Sequence, residues 1–244
     1  MTSLKIQEIA ENIDLIKRRI EKSCIKAGRN PKDVKLVLAT KTVPAELIKT
    51  CIINGDTLFA ENKIQELLSK IDYLKGLDYT SHFIGHLQTN KVKQVIKHVN
   101  SIHSLDRLSL AKELNKRLAR NNQKMRVLVQ VNTSRETSKF GINPEDLPCF
   151  LEEINTFPAI YVEGLMTIGK FSSSEKEIRP CFQLLKQLAD ETDCSMYERV
   201  ELKELSMGMS NDFDIAIEEG STMVRIGTAI FGERKYPDSY YWKE

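Results

Sequence analysis

The segment Val34-Lys35-Leu36-Val37-Leu38-Ala39-Thr40-Lys41-Thr42-Val43-Pro44 decides the fold of this chain. Residues 34–39 form a short apolar run rich in residues that favour β-structure, which is typical of a strand buried in a parallel sheet. The run ends at a polar turn that contains Lys41, and Pro44 then opens a helical pattern that continues to about residue 54. The segment therefore predicts a β-strand, a polar loop and an α-helix in succession.

The same succession of strand and helix repeats along the chain. Short β-rich runs predict further strands at residues 57–60, 80–84, 101–103, 126–131, 160–165, 201–205 and 223–226. A helical pattern clearly follows each of these runs except the last. Such units imply a parallel sheet, and eight of them in 244 residues predict an α/β fold of the (β/α)8 TIM-barrel type. An open, doubly wound sheet is the alternative that the sequence leaves open.

An extra helix is predicted before the first strand. An apolar stripe recurs there at steps of three and four residues, the spacing of one helix face: Ile6, Ile9, Ile13, Ile16 and Ile20. We therefore predict that residues 1–30 form an N-terminal helix packed on the barrel. Since no linker or low-complexity stretch divides the chain, we expect a single domain over residues 1–244.

Composition and charge exclude several classes of protein. Lysine and arginine number 36 against 34 acidic residues, and a net charge of +2 argues against nucleic acid or membrane as the main partner. No apolar run approaches the roughly 18 to 20 residues of a membrane span, and the first residues lack the features of a signal peptide. The five cysteines are odd in number and form no CxxC pair, unlike a zinc site or a disulfide framework. We therefore expect a cytoplasmic protein.

Lys41 is a candidate nucleophile because it comes directly after the first apolar run. The active sites of TIM barrels lie at the C-terminal ends of the strands. Partial desolvation at such a barrel mouth favours the neutral amine, which can form an imine with a carbonyl compound. A solvated lysine in a loop is the ordinary alternative, and position alone favours it.

Two segments near the C-terminus are suited to binding a phosphate group. Residues 206–210, Ser-Met-Gly-Met-Ser, offer hydroxyls and backbone N–H groups and lead into a predicted helix. Gly227 and Thr228 follow the eighth strand, and barrels often bind phosphate after strands seven and eight. A capped helix and a tight turn are the structural alternatives. Arg225, in an apolar strand, needs a carboxylate partner or a polar ligand such as the ring nitrogen of a cofactor.

Other motifs point away from metal and nucleotide. His82 and His86 are four residues apart, but they lie in a strand and loop, and the zinc-protease helix signature is absent. The sequence contains neither GxxxxGK[ST] nor GxGxxG nor GxSxG. We therefore expect no metal, and nucleotide binding has no support.

Seven stretches together resemble the pyridoxal phosphate homeostasis proteins, whose single barrel is similar to the N-terminal domain of bacterial alanine racemase. The stretches are LVLATKTVPAELI, FAENKIQEL, HFIGHLQTNKVK, SIHSLDRLSLAKEL, VLVQVNTSRETSKFGI, VEGLMTIG and LSMGMSNDFDIAIEEGSTMVRIGTAIFG. They run from the first predicted strand to beyond the last, so the resemblance covers nearly the whole chain.

The resemblance implies that Lys41 holds pyridoxal 5′-phosphate (PLP) as an imine and that Arg225 faces its pyridine nitrogen. The cofactor-binding set that it implies is Lys41, Asn62, His86, Met166, Ser206, Met207, Ser210, Arg225, Gly227 and Thr228. Within this set Ser206, Ser210, Gly227 and Thr228 would bind the phosphate group. Lys139, on a loop near the barrel mouth, would be a second lysine with a role in transfer.

Two residues depart from the usual family pattern. Ala60 stands in FAEN where glycine is usual, which could crowd the second strand–helix loop and shift Asn62. Thr40 stands where serine is more usual, and it keeps a hydroxyl. Neither change touches the lysine or the phosphate segments.

The family is described as non-catalytic, so the resemblance implies a carrier or buffer of PLP in intracellular PLP homeostasis, with apo PLP-dependent enzymes as clients. Only 12 residues follow Gly232, which leaves no room for the second, β-rich domain that supplies a catalytic tyrosine across the racemase dimer. We therefore expect a monomer. The alternatives are a PLP-dependent amino-acid racemase or lyase of narrow scope, and a lysine-imine barrel without PLP that acts on sugar phosphates.

Overall fold

Eight parallel strands close into a barrel in chain order, with the first strand paired to the last. The structure is a computed structural model and describes residues 3–233. The strands are β1 (Lys35–Ala39), β2 (Leu58–Glu61), β3 (Thr80–Phe83), β4 (Ser101–Leu105), β5 (Met125–Gln130), β6 (Ile160–Met166), β7 (Val200–Met209) and β8 (Met223–Ile226). The predicted (β/α)8 barrel is confirmed, and closure between β1 and β8 excludes the open sheet.

Helices surround the barrel and cover the outer faces of the strands. They are α1 (Ser3–Lys26), α2 (Ala45–Ile53), α3 (Ile64–Leu74), α4 (Val92–Val95), α5 (Leu108–Arg120), α6 (Leu147–Asn155), α7 (Glu175–Glu191), α8 (Phe213–Glu218) and α9 (Thr228–Phe231). Helix α9 follows β8, where no helical pattern is clear from the sequence alone. Within residues 3–233, no helix combines the length and apolar character needed to cross a bilayer.

The two faces of each strand belong to different environments. The main apolar core lies between strands and helices and includes Leu38 and Phe59. A separate small cluster joins Val37, Ala60 and Met223, whose side chains point to the other face and therefore into the barrel. The same alternation continues from Met223 to Arg225. A side chain at a strand end therefore points into the barrel when it is an even number of residues from an interior residue of the same strand.

Strand β7 is longer than the sequence predicts, since it runs to Met209. Its register against β8 shifts between Ser206 and Met209, and Gly208 has a φ of 93° there. A Cβ at Gly208 would lie 2.6 Å from the Cβ of Ala216, so the glycine lets α8 pack against the strand. The predicted end of the seventh strand at residue 205 is wrong, because Ser206 to Met209 pair with β8 and belong to the sheet.

Helix α1 packs on α8 and α9, the helices that follow β7 and β8. The predicted stripe is buried from Ile9 to Ile20, whereas Ile6 is exposed. The side-chain amide of Asn12 donates to the carbonyl of Ile230 at 3.0 Å. The guanidinium of Arg19 lies 4.4 Å from the ring centre of Phe213. Helix α1 therefore supports the part of the barrel that carries Ser210 and Gly227.

Candidate functional site

Lys41 occupies the second position of a tight turn that ends β1. The N–H of Val43 donates to the carbonyl of Thr40 at 2.9 Å, which closes the turn around Lys41 and Thr42. Lys41 is half-buried and continues the alternation of Val37 and Ala39 towards the barrel interior. The amine therefore belongs to a side chain at the mouth, next to the end of β8.

Asn62 directly follows β2, two residues after the interior residue Ala60. Its side-chain oxygen Oδ1 is buried and has no hydrogen-bond partner among the described residues. Its backbone oxygen packs so closely on Gly85 that a Cβ there would lie 2.0 Å away. A buried acceptor without a partner is costly, so Oδ1 is suited to accepting a hydrogen bond from a ligand or water.

Arg225 is the buried cation of the barrel interior, with 4% of its surface exposed. Its Nη1 donates to the carbonyl and the hydroxyl of Ser206, both at 2.7 Å, and Nη2 donates to the carbonyl of Thr167 at 2.9 Å. Within residues 3–233, no carboxylate forms an ion pair with it. Burial lowers the pKa of Arg225 to about 10, and the charge of Asp212 opposes this. The guanidinium is still protonated at neutral pH.

A hydrogen-bonded chain extends from Arg225 across the barrel interior. Ser206 Oγ lies 3.1 Å from Nδ1 of His103, and Nε2 of His103 lies 2.9 Å from Nδ1 of His82. Because arginine can only donate, Ser206 donates to His103, which in turn donates to His82. Burial lowers the pKa of His103 well below its usual value and that of His82 to about 4, so both rings are neutral at pH 7.

The ends of β7 and β8 meet at Ser210. Its hydroxyl oxygen accepts the backbone N–H groups of Gly227 at 3.4 Å and Ala229 at 3.2 Å. Thr228 lies between these two donors and is exposed. One hydroxyl and adjacent backbone N–H groups thus converge at the mouth, and this arrangement suits an anion such as a phosphate group.

Two residues of the predicted cofactor-binding set, Ser206 and Met207, are not grouped with Ser210 at the mouth. The hydroxyl of Ser206 is fully buried and occupied by Arg225 and His103 rather than grouped with Ser210. The side chain of Met207 is buried in the main core between the strands and the helices. Met166 pairs with Ser206 across β6 and β7 and is buried at the end of β6.

The rim of the mouth contains His86 and Lys139. The ring of His86 stacks on Phe140 with 3.8 Å between ring centres, and its Nδ1 lies 3.2 Å from Asp106. Lys139 Nζ donates to the carbonyl of Gly169 at 2.8 Å and lies 2.5 Å from Glu136. These contacts join the loops after β3, β5 and β6 on the side of the mouth opposite Lys41.

His82 and His86 do not form a shared site. His82 bonds to His103 inside the barrel, whereas His86 stacks on the rim. Among the residues that the structure describes, no group of three or more histidine, cysteine, aspartate or glutamate side chains is arranged to hold a metal ion.

Sequence reasoning missed the groups that hold the predicted residues in place. Residues His103, Glu61, Glu66 and Lys70 bond to Ser206 or to the neighbours of Lys41. The one sequence signal was the presence of charged or titratable residues inside apolar patterns, as in the strand FAE and the helix IQELLSK.

Nearly the whole chain matches a known family. The family model described as "Alanine racemase, N-terminal domain" matches residues 4–235. The pyridoxal phosphate homeostasis protein of Aquifex aeolicus is 46% identical over 226 residues, which cover 93% of this chain and 98% of the relative. The Escherichia coli K12 protein of the same name is 36% identical over 95% of this chain and 99% of its own length. The chain belongs to the pyridoxal phosphate homeostasis protein family.

Solved structures agree with this family and fold. A protein from Bifidobacterium adolescentis superposes with a TM-score of 0.90 at 34% identity, over 95% of this chain and 97% of its own. PipY of Synechococcus elongatus, solved with PLP bound, has a TM-score of 0.80 and 29% identity over 92% of this chain and all of its own. The alanine racemase of Clostridium difficile, at 17% identity and a TM-score of 0.72, shares the fold over 57% of its length. The predicted membership of the pyridoxal phosphate homeostasis protein family is confirmed.

Proposed function

We propose that this chain binds PLP covalently through Lys41 and acts in PLP homeostasis as a carrier or buffer of the cofactor. One observation carries the proposal: an amine, a buried guanidinium and a pair of backbone N–H groups lie around one end of a barrel. They belong to Lys41, Arg225, Gly227 and Thr228, and the hydroxyl of Ser210 lies beside the last pair. PipY, a family relative solved with PLP bound, supports the choice of ligand.

Each side chain has a role that its contacts suit. The amine of Lys41 would bond to the aldehyde carbon of PLP with loss of water. Arg225 uses three of its five N–H groups within the barrel, and a remaining N–H would donate to the pyridine nitrogen. The hydroxyl of Ser210 and the N–H groups of Gly227 and Thr228 would bind the phosphate group.

The other members of the predicted set would surround the ligand. Asn62 would offer its unpartnered Oδ1 as an acceptor. Met166 and His86 would line the buried and the open side of the site, respectively. Ser206 would act by holding Arg225, and Met207 would contribute through its place in β7 rather than through its side chain.

Arg225 favours a carrier over a racemase. A guanidinium with a pKa of about 10 keeps its proton at neutral pH and only donates, so the ring nitrogen that it faces would stay unprotonated. When bound in this way, PLP supplies a weak electron sink. The mouth is also open, since His86 and Thr228 are exposed, and an open mouth would let the cofactor pass to apo-enzyme clients.

Borohydride trapping tests the covalent assignment. The protein is saturated with PLP, reduced, digested and mapped by mass spectrometry, with Lys41→Ala and Lys139→Ala measured beside the unchanged chain. We expect a phosphopyridoxyl group on Lys41 that the first variant loses and the second keeps, because Lys139 already contacts Gly169 and Glu136 on the rim.

Label on Lys139 alone would contradict the assignment to Lys41, and an unlabelled chain would remove PLP as the ligand. For the carrier role, the loaded chain should activate an apo PLP-dependent enzyme faster than the same amount of free PLP. Equal rates would contradict delivery. Deuterium from solvent entering the α-position of an amino acid at enzymatic rates would favour a racemase or lyase instead.

The assembly and location are part of the same proposal. We infer a single domain over residues 1–244 that acts as a monomer in the cytoplasm. The packing of α1 on the barrel supports the single domain, and free thiols at all five cysteines suit a reducing compartment. Light scattering on the purified chain tests the monomer, and a dimer mass would contradict it.

A further inference from the structure

The two peptide groups that flank Lys41 are bound by one charged network on α3. Lys70 Nζ donates to the carbonyl of Thr40 at 2.9 Å. The carboxylate of Glu66 accepts the N–H of Thr42 at 2.5 Å. Lys70 and Glu66 lie one helical turn apart, with 3.3 Å between Nζ and Oε2. The backbone on both sides of Lys41 is therefore tied to the same ion pair.

Lys70 is buried and its ammonium group is saturated with acceptors. Only 6% of the residue is exposed. Besides Thr40 and Glu66, the ammonium contacts Glu61 Oε1 at 2.6 Å, which matches its three N–H groups with three acceptors. Glu61 also accepts the hydroxyl of Thr40 at 2.7 Å. The position of Lys70 is thus fixed from three directions.

The network of Lys70, Glu61 and Glu66 is expected to add little to the free energy of unfolding, because its charges are buried. Burial raises the pKa of Glu61, and the adjacent Lys70 charge opposes that rise. The second oxygen of Glu61 has no hydrogen-bond partner among the described residues. Buried ion pairs often contribute no more to stability than apolar residues of the same size. Stability alone therefore does not explain why these charges are buried beside the turn at Lys41.

The turn itself needs to be held. Thr42 has a φ of 65°, the left-handed region that glycine or asparagine normally occupies at the third position of a turn. For a β-branched residue this conformation is sterically unfavourable, and such strain persists only where the surroundings impose it. Besides the bond from Val43 N–H to the Thr40 carbonyl that closes the turn, Thr42 N–H donates to Glu66, so a side chain of α3 contacts the strained residue itself.

We propose that Glu66 and Lys70 are positioning residues that hold the strained turn and so direct the amine of Lys41 into the barrel. The inference rests on the proposed function, because it assumes that Lys41 is the residue that binds the PLP aldehyde. The inference adds that formation of the bond between Lys41 and the PLP aldehyde depends on Glu66 and Lys70, which lie outside the barrel interior. Binding of the phosphate group does not depend on them.

The test compares two ligands in a matched pair of variants. Glu66→Ala removes the acceptor of Thr42 N–H but leaves the Lys70–Glu61 pair, and its partial exposure favours a folded variant. Glu46→Ala, an exposed acid on the neighbouring helix α2, is the control. The ligands are PLP and pyridoxine 5′-phosphate, which carries an alcohol in place of the aldehyde and cannot bond to the amine.

We expect Glu66→Ala to weaken the binding of PLP about tenfold and to leave the affinity for pyridoxine 5′-phosphate unchanged. Glu46→Ala should change neither. Equal weakening of both ligands would overturn the proposal, since the network would then support the whole site, and so would unchanged binding of both. If Glu66→Ala fails to fold, the double variant Glu61→Leu/Lys70→Met, which removes the contact to the Thr40 carbonyl without leaving a buried charge unpaired, decides between these outcomes with the same two ligands.

Borohydride trapping on the unchanged chain separates the two levels of the argument. Failure to label Lys41 there would defeat the proposed function itself. If Lys41 is labelled normally but Glu66→Ala binds both ligands unchanged, or binds both more weakly by the same factor, only the positioning role is defeated.

Discussion

On the β1–β2 side of the barrel mouth, the turn that carries Lys41 is held by charged groups, Lys70, Glu61 and Glu66. On the β7–β8 side, Arg225 is held by neutral acceptors, and Ser210 is joined to β8 by backbone N–H groups. The first side presents the amine of Lys41, the proposed nucleophile, on a tight turn. The second presents fixed donors for groups that carry negative charge or a lone pair.

The difference follows from what each side has to fix. A lysine amine sits on a long flexible chain, so its direction depends on the backbone conformation at Lys41, and the ion pair controls that conformation. Backbone N–H groups are fixed directly by the strands. The absence of a side chain at Gly208 is then sufficient to let α8 approach β7 closely. Charged groups therefore hold the strained turn at Lys41, whereas close packing is sufficient on the β7–β8 side.

The largest effect should come from breaking the charged side. Lys70→Met leaves Glu61 buried without its partner and should lower the free energy of unfolding by about 3–5 kcal/mol. The double variant Glu61→Leu/Lys70→Met removes both charges and should recover most of that loss. Urea denaturation of both variants measures the two values.

The control is Lys186→Met, which breaks an exposed pair with Asp190 on α7 and should cost less than about 1 kcal/mol. If the double variant is as unstable as Lys70→Met, the buried charges of Glu61 and Lys70 stabilise the fold more than apolar residues would, which contradicts the prediction.

The neutral hydrogen-bonded chain that runs from Arg225 through Ser206 and His103 to His82 should make stability depend on pH. Burial, with a smaller effect from Lys35, lowers the pKa of His82 from 6.5 to about 4. Between these values the unfolded chain binds a proton that the folded chain does not, so stability is complete above pH 6.5 and is lost as the pH falls towards 4. The loss should reach about 3 kcal/mol.

Urea denaturation between pH 7 and pH 4, with His82→Gln as the comparison, checks this dependence. The variant lacks this titration, so its stability should fall less over that range. Identical slopes for the two chains would show that His82 does not titrate as its burial implies.

The smallest effect should fall on the anion site. Ser210→Ala removes an oxygen that joins Gly227 and Ala229 but leaves the backbone in place. Loss of one hydrogen bond to a charged group costs about 1.5–3 kcal/mol, so the affinity for pyridoxine 5′-phosphate should fall on the order of tenfold to a hundredfold. Isothermal titration calorimetry measures it.

Ser195→Ala, at an exposed serine that precedes β7 and so lies at the opposite end of that strand from Ser210, is the matched control and should bind as the unchanged chain does. If Ser210→Ala binds pyridoxine 5′-phosphate as tightly as the control, the phosphate group lies elsewhere. Together with the Lys70 variants, this result would show whether the two sides of the mouth act independently.

Much of the fold was predictable because it depends on short-range patterns. Apolar runs, β-rich composition and the helical repeat located the strands to within a few residues, and the regular alternation of strand and helix predicted the barrel. Strand β7 was the exception. The residues Ser206 to Met209 carry no β-rich pattern, and they join the sheet through pairing with β8, a segment that the local sequence does not contain.

The places of Lys41 and Arg225 at the ends of β1 and β8 were predictable, because they follow from local strand patterns. The site was not predictable where a residue's role depends on a distant partner. His103 and Ser206 are 103 residues apart along the chain and meet only inside the barrel. Lys70 looks like any polar residue of an amphipathic helix, yet the packing of α3 on β1 and β2 buries it.

The sequence by itself determined the succession of strands and helices, the family resemblance and the choice of Lys41, because strand and helix patterns and motifs are written in neighbouring residues. Only the tertiary structure decided that Ser206 supports Arg225 instead of grouping with Ser210, and that charges on α3 hold the turn at Lys41. Closing the barrel brings remote groups within hydrogen-bond distance, and burial then forces each polar atom to find a partner.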